Sequence, residues 1–154
     1  MDLTPNWEFV ADTVMGGVSS GRVRREDVAG RRAARLTGAV SLENNGGFVQ
    51  MASDLGGGAL DASDWSGVEI DVFGNGETYD LRLRTDDLTR PWQSYRTEFT
   101  AGPAWETLRL PFDVFEANKT EAAFDPARLR RVGVLAVGRV MQADVAVGGL
   151  RLWR

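Results

Sequence analysis

The sequence predicts an all-β fold, a sandwich of short antiparallel strands, and three observations carry that expectation. Apolar residues recur at every second position over short runs, most clearly in residues 68–73 and 79–85. Turn formers punctuate those runs at short intervals, from a chain that holds 18 Gly and 5 Pro. Helix has little room: the start signal Asp125-Pro126, an N-cap followed by proline at the first helical position, leaves space for one or two turns. At 154 residues, 43% of them hydrophobic and 26% charged, the chain suits one domain over residues 1–154. A chain of that size buries about 70% of its unfolded surface.

In order, Trp7 and Phe9 alternate as a half-buried N-terminal strand would. Residues 21–27 and 31–37 read as a hairpin about Ala29-Gly30, with Val23, Ala34 and Leu36 facing inward. Residues 38–42 and 47–52 form two more strands on either side of Glu43-Asn44-Asn45-Gly46, where Asn-Gly is a turn dipeptide because both residues tolerate left-handed backbone. A flexible Gly56-Gly57-Gly58 connection follows, and Trp65 is expected to cap the edge of the core.

Residues 68–73, 79–85 and 93–99 have the clearest strand patterns. Val68, Ile70 and Val72 share one face and Glu69 and Asp71 the other; Tyr79, Leu81 and Leu83 oppose Arg82 and Arg84. Such alternation means one buried and one polar face. Gly74-Asn75-Gly76 reads as a hairpin turn joining the first two, which would set Glu69 and Asp71 across from Arg82 and Arg84. Further on, residues 105–110 form a strand ended by Pro111, with Phe112 and Phe115 as anchors and 118–123 as a surface excursion. Two apolar runs, 131–137 and 144–153, close the set as central strands, with Gly148-Gly149 marking a bulge. The expected total is about ten strands.

Four motifs in order resemble one known family. They are Asp-Thr-Val-Met-Gly-Gly-Val-Ser at 12–19, Ser-Leu-Glu-Asn-Asn-Gly-Gly-Phe at 41–48, Leu-Arg-Leu-Arg-Thr at 81–85 and Leu-Pro-Phe at 110–112. Together they are similar to the complex I intermediate-associated protein 30 family. The resemblance implies a galactose-binding-like jelly-roll sandwich. For mitochondrial members it implies a non-catalytic role, as an assembly factor or chaperone for respiratory NADH:ubiquinone oxidoreductase (complex I).

Composition narrows the chemistry. There is no cysteine and no histidine, which removes thiolate nucleophiles, Ser-His-Asp triads, imidazole and thiolate metal ligands and the usual general base. Net charge is −4 and the isoelectric point is near 4.9, which argues against a nucleic-acid backbone binder. The arginines at 22, 24, 25, 31, 32 and 35 read first as a solvated hairpin face, with an anion patch as the alternative. No apolar run nears the ~20 residues of a membrane span, and residues 1–5 show no secretory signal pattern. The cytoplasm is the expected location, with the inner-membrane face as the alternative.

Candidate sites follow from the two polar features. On the sheet face, Arg82, Arg84, Trp92, Gln93, Tyr95 and Arg96 combine planar donor forks with stacking surfaces, the equipment for a partner, a carboxylate or a hydroxyl-rich ligand. A ladder of exposed ion pairs is the alternative. Asp12, Met15, Gly16, Gly17, Ser19, Glu43, Asn44 and Asn45 would form the loop rim, with Met15 filling the gap beneath it. Asp12, Asn44 and Asn45 could ligate calcium, but side-chain bonding within the loops explains them without an ion, so no metal and no cofactor are expected. The glycine pairs precede neither a helix nor a Lys-Ser/Thr pair, so the phosphate-loop fingerprints fail. Asp86, Asp87, Glu69, Asp71 and Glu98 show no pairing that would run a hydrolase. The expectation is a non-catalytic protein-binding domain, with carbohydrate or small-ligand binding on the polar, concave sheet face as the alternative.

Overall fold

The computed structural model describes residues 1–56 and 58–154; the triple-glycine connection falls partly outside them. Its strands are β1 (Glu8–Ala11), β2 (Ser20–Val28), β3 (Arg31–Val40), β4 (Phe48–Asp54), β5 (Gly67–Gly74) and β6 (Thr78–Thr85). They continue with β7 (Ser94–Thr100), β8 (Glu106–Pro111), β9 (Glu116–Asn118), β10 (Leu129–Val137) and β11 (Met141–Trp153). They pair antiparallel into a six-stranded sheet, β1-β4-β10-β6-β7-β9, and a five-stranded sheet, β2-β3-β11-β5-β8. The apolar faces meet in one core built on Leu36, Met51, Ile70, Leu81, Leu83, Val134 and Leu150, all fully buried. This is the jelly-roll sandwich.

Local sequence explains most elements. Ala29 and Gly30 take positive φ, 47° and 82°, the pair of left-handed residues a two-residue hairpin needs. Residues 31–40 form one strand instead of two, and it pairs with β2 so closely that Gly21 faces Gly38. A Cβ on either glycine would lie 2.4 Å from a backbone oxygen of the other strand. Pro111 ends β8, an edge strand that needs no donor there. Asp125 accepts a hydrogen bond from the Ala127 N–H and caps a single 3-10 turn, Pro126–Arg128. The register shifts at Val147/Gly149. A Cβ on Gly148 would meet Nε of Arg31 at 2.5 Å, so the bulge glycine makes room for an arginine crossing the sheet.

The expected hairpin between residues 68–73 and 79–85 does not form. β5 belongs to one sheet and β6 to the other. The Gly74-Asn75-Gly76 connector hands its amides to the carbonyls of Gly102 and Ala101 and carries the chain across the core. Alternation tells which side of a strand is buried; a core lined from two sides gives the same alternation to both sheets. Glu69 and Asp71 therefore lie on the opposite outer face from Arg82 and Arg84. Tyr79 ties the sheets where the chain crosses: its hydroxyl accepts from the Asp144 N–H on β11 and donates to Asn75.

Both central strands, β10 and β11, come last in chain order, one in each sheet. The chain start also docks onto β11: the Leu3 N–H bonds the Leu150 carbonyl, and the Leu152 N–H bonds the Met1 carbonyl.

Candidate functional site

The outer face of the six-stranded sheet carries the candidate site. Residues 80, 82 and 84 of β6 point away from the core because 79, 81 and 83 fill it. β7 sets Arg96 directly across from Arg82 and Glu98 across from Asp80. A groove of about 480 Å³ runs over these strands, lined by Thr78, Asp80, Arg82, Arg96, Glu98, Asn118, Val137, Gly138 and Arg139.

Asp80 is the hub of that groove. Its side chain is buried, and it accepts Nε and Nη2 of Arg96 at 2.8 and 2.7 Å and Nε of Arg82 at 2.9 Å. Arg96 also reaches Glu98 at 3.0 Å. Its guanidinium is pushed above the ordinary range, by the Asp80 hydrogen bonds first and against the opposing effect of burial. Two like charges directly across a ladder repel. The shared carboxylate holds them together, so Arg82 and Arg96 present fixed outer edges.

The other sheet-face candidates separate. Arg84 turns to the β6–β7 loop and donates to the carbonyls of Arg90 and Pro91. Gln93 accepts from the Thr89 and Arg90 N–H groups and donates to the Lys119 carbonyl, so it staples that loop. Tyr95 turns inward, fully buried, with its hydroxyl on the carbonyls of Ala122 and Ala123 and its ring against Phe124. It does not reach the groove. Trp92 stands 56% exposed on the loop. Asp80, Asn118 and Arg139 were absent from the sequence candidates. Alternation puts Asp80 beside Arg82 on the polar face, a signal that was available. The placement of Asn118 and Arg139 depends on long-range pairing.

The loop rim is built around Asp12. Its carboxylate is buried and accepts from the Ser19 N–H (3.0 Å), the Ser19 hydroxyl, the Gly47 N–H (2.6 Å) and the Phe48 N–H (3.2 Å). Burial raises its pKa, and the bonds from Ser19, Gly47 and Phe48 outweigh that and hold it below the ordinary value. Gly17 and Gly46 are glycine for a direct reason: a Cβ on either would come within 2.5 Å of the Asp12 carboxyl group. Gly16 takes φ 86° at the end of the turn Asp12–Met15, and Asn44 and Asn45 take φ 57° and 59° beside Glu43, which Asn tolerates better than most residues. A carboxylate ringed by N–H and O–H donors is a latch between loops, the reverse of a cation cage. Met15 is 59% exposed instead of filling the gap. Among the described residues no group of three or more carboxylates gathers as a metal site.

The opposite outer face is closed on itself. Buried Asp71 takes both terminal nitrogens of Arg151 at 2.9 Å, Nη2 of Arg31 at 2.7 Å and the Thr107 hydroxyl; Glu69 takes Arg109 and Arg151. The Arg151 fork, with Thr107 and Arg31, holds the Asp71 carboxyl well below the usual range despite burial, and Arg109 and Arg151 pull Glu69 down. A general acid needs the reverse displacement.

The comparisons with known proteins decide the family. The chain matches the profile of complex I intermediate-associated protein 30 (CIA30) over residues 2–150. It belongs to the CIA30 family. No curated protein matches the CIA30 chain in sequence. Among solved structures, it is similar to the family 11 carbohydrate-binding module of the cellulosomal cellulase Lic26A-Cel5E of Clostridium thermocellum. The TM-score is 0.80 and the identity 12%, covering 99% of this chain and 92% of that one. The same organism's family 11 module in complex with a β-1,3-1,4-mixed-linked tetrasaccharide gives a TM-score of 0.77 at 12% identity, over 96% and 88% of the two chains. A family 30 module of its cellulosomal cellulase Cel9D-Cel44B gives 0.65 at 17%, over 86% and 81%. These likenesses show the fold of this CIA30 member.

Proposed function

We propose that this CIA30 protein is an assembly factor that binds a protein partner, a subunit of NADH:ubiquinone oxidoreductase, on the outer face of its six-stranded sheet. It works in the cytoplasm or at the inner face of the membrane. Among the described residues no helix is long and apolar enough to cross a bilayer. The observation that supports a protein partner is the makeup of the groove: Arg82, Arg96, Arg139, Glu98 and Asn118 line it and no aromatic ring does. Sugars are gripped largely by stacking on aromatic faces, whereas paired charges of both signs fix the register and orientation of a protein surface.

Affinity purification from native cells after mild crosslinking tests the reading. The variant carries Arg139→Glu and Asn118→Arg, which recharges the groove and leaves the Asp80 cluster whole. Enrichment of NADH:ubiquinone oxidoreductase subunits with the native chain, lost in the variant, supports the role and its surface. No specific protein enriched by the native chain sinks it.

A carbohydrate reading has its own support, in the carbohydrate-binding neighbours and in exposed Trp92. It requires binding of a soluble mixed-linked glucan by the purified chain, weakened by Trp92→Ala.

A further inference from the structure

At the other end of β6, Arg84 differs from the other arginines of the sheet faces. Arg22, Arg24 and Arg25 on β2 are exposed to solvent and need no acid, whereas Arg84 is half-buried without one. Arg31, Arg35, Arg82, Arg96, Arg109, Arg131 and Arg151 each meet a carboxylate. Arg84 meets none among the described residues; its terminal nitrogens rest on the neutral carbonyls of Arg90 and Pro91. It sits directly across the ladder from a second cation, Arg131. Its Nε is buried with no acceptor. Buried donors nearly always have a partner, and the exceptions call for a reason.

A pocket of about 240 Å³ opens at this place, between Asp54, Arg84, Asp86, Leu88, Arg130 and Arg131. The two acids are already engaged, Asp54 by Arg131 at 2.9 Å and Asp86 by Arg130 at 3.4 Å. One positive charge is left over, and it is that of Arg84. Burial, and then repulsion from Arg131, pulls the Arg84 guanidinium below its ordinary value, so a negative ligand would relieve both.

The geometry points to a binding site in this pocket for a single carboxylate, held by the unclaimed N–H groups of Arg84 and drawn by Arg131. A carboxylate fits better than a phosphate because one surplus charge calls for a monoanion, and the guanidinium fork matches two coplanar oxygens. The site is separate from the Asp80 groove and stands whether or not a protein docks there. The carboxylate arrives either on a small free acid or on an acidic side chain of a partner.

The test is an NMR titration of the full chain, following the arginine Nε–H signals, with Arg84 and Arg131 assigned by side-chain correlation to their own backbones. The probes are acetate, a short capped peptide with one Glu, inorganic phosphate, and chloride at matched ionic strength. The expected result is a saturable shift of the Arg84 signal with a carboxylate probe and none with chloride. Arg131→Gln removes one cation and frees the Asp54 carboxylate to compete for Arg84, and should weaken the effect about tenfold. A response to acetate assigns a small acid; a response to the peptide alone assigns a partner side chain. An Arg84 signal that stays still, or that moves equally with chloride, overturns the site. Saturation by phosphate with no response to carboxylate overturns the ligand class.

Discussion

Asp12→Asn is the sharpest test of the latch between the two glycine loops. The change keeps size and shape and replaces one carboxylate oxygen with an amide nitrogen. Oδ1 can still accept the Ser19 N–H. The Oδ2 position, where the Gly47 and Phe48 N–H groups converge with the Ser19 hydroxyl, becomes a donor facing donors. Flipping the amide returns an oxygen to Gly47, Phe48 and the Ser19 hydroxyl and leaves the conflict at the Ser19 N–H alone, so the flipped form is the one adopted. Orphaning that one amide costs about 1–3 kcal/mol, and the two remaining amides lose their charged acceptor while the buried charge is relieved, so the net loss is about 2 kcal/mol. For a chain of this size that lowers Tm by about 4–8 °C. Urea unfolding followed by the fluorescence of the five tryptophans measures it directly. Gly46→Ala, whose Cβ would press on Asp12 Oδ2 at 2.5 Å, should cost a similar amount, and the two losses should fall short of additive when combined. A loss under about 1 kcal/mol for Asp12→Asn at unchanged m-value would refute the latch.

Three further outcomes are expected. Asp80→Ala leaves Arg82 and Arg96 facing each other without their shared acceptor, and should cost about 2–3 kcal/mol, less than a fully buried pair would because both arginines are partly solvated; urea unfolding of the variant checks it, and Arg82→Ala should cost less than Arg96→Ala, which loses the two-point contact. Asp12, Glu69 and Asp71 all have folded pKa values below the unfolded carboxylate range. Their stabilisation is therefore complete above about pH 5 and drains away as the pH falls through those lowered values; a urea midpoint that stays level between pH 7 and 2.5 would contradict this. Tyr79→Phe leaves the Asp144 amide without its acceptor and should cost about 1–2 kcal/mol. Burial pushes the Tyr79 hydroxyl up to about 12 and raises that of Tyr95, so absorbance titration of the native protein should show neither of its two phenols ionising at the free value near 10.

How much of this was legible depends on the range of the interaction. Alternation in β5 and β6, turn chemistry at Ala29-Gly30, the Gly148-Gly149 pair and Pro111 act within a few residues, and they located most of the strands, the first hairpin, the bulge and the proline-ended edge; that residues 31–40 run as one strand and that β9 pairs with β7 depend on distant partners. Sheet membership acts across the molecule. Nothing local to Gly74-Asn75-Gly76 distinguishes a hairpin from a crossing, since both need glycine and asparagine; what decides is that residues 101 and 102 wait to receive its amides. The same limit scattered the arginine set. Arg82 and Arg96 meet because β6 pairs with β7, Tyr95 turns inward because β7 alternates out of step with its arginine, and Arg84 is captured by a loop. The glycine loops were recognisable as shaped, while the reason for Gly17 and Gly46, a carboxylate passing beneath both, appears only once the chain is folded.

That β10 and β11 sit at the centres of the two sheets and come last in the chain governs when the fold can exist at all. During synthesis the β2–β3 hairpin has only one neighbour to form with, and β5 can pair with β8, but neither sheet is continuous until residues 129–153 have left the ribosome. Until then four part-sheets, β1-β4, β6-β7-β9, β2-β3 and β5-β8, expose apolar faces and open edges, the condition that invites chaperone capture or aggregation. With nearly every strand joined through distant residues, folding should be slow on the scale set by contact order. A ribosome stalled before β10 should hold a protease-sensitive chain, and release of the β10–β11 segment should close both sheets in one step.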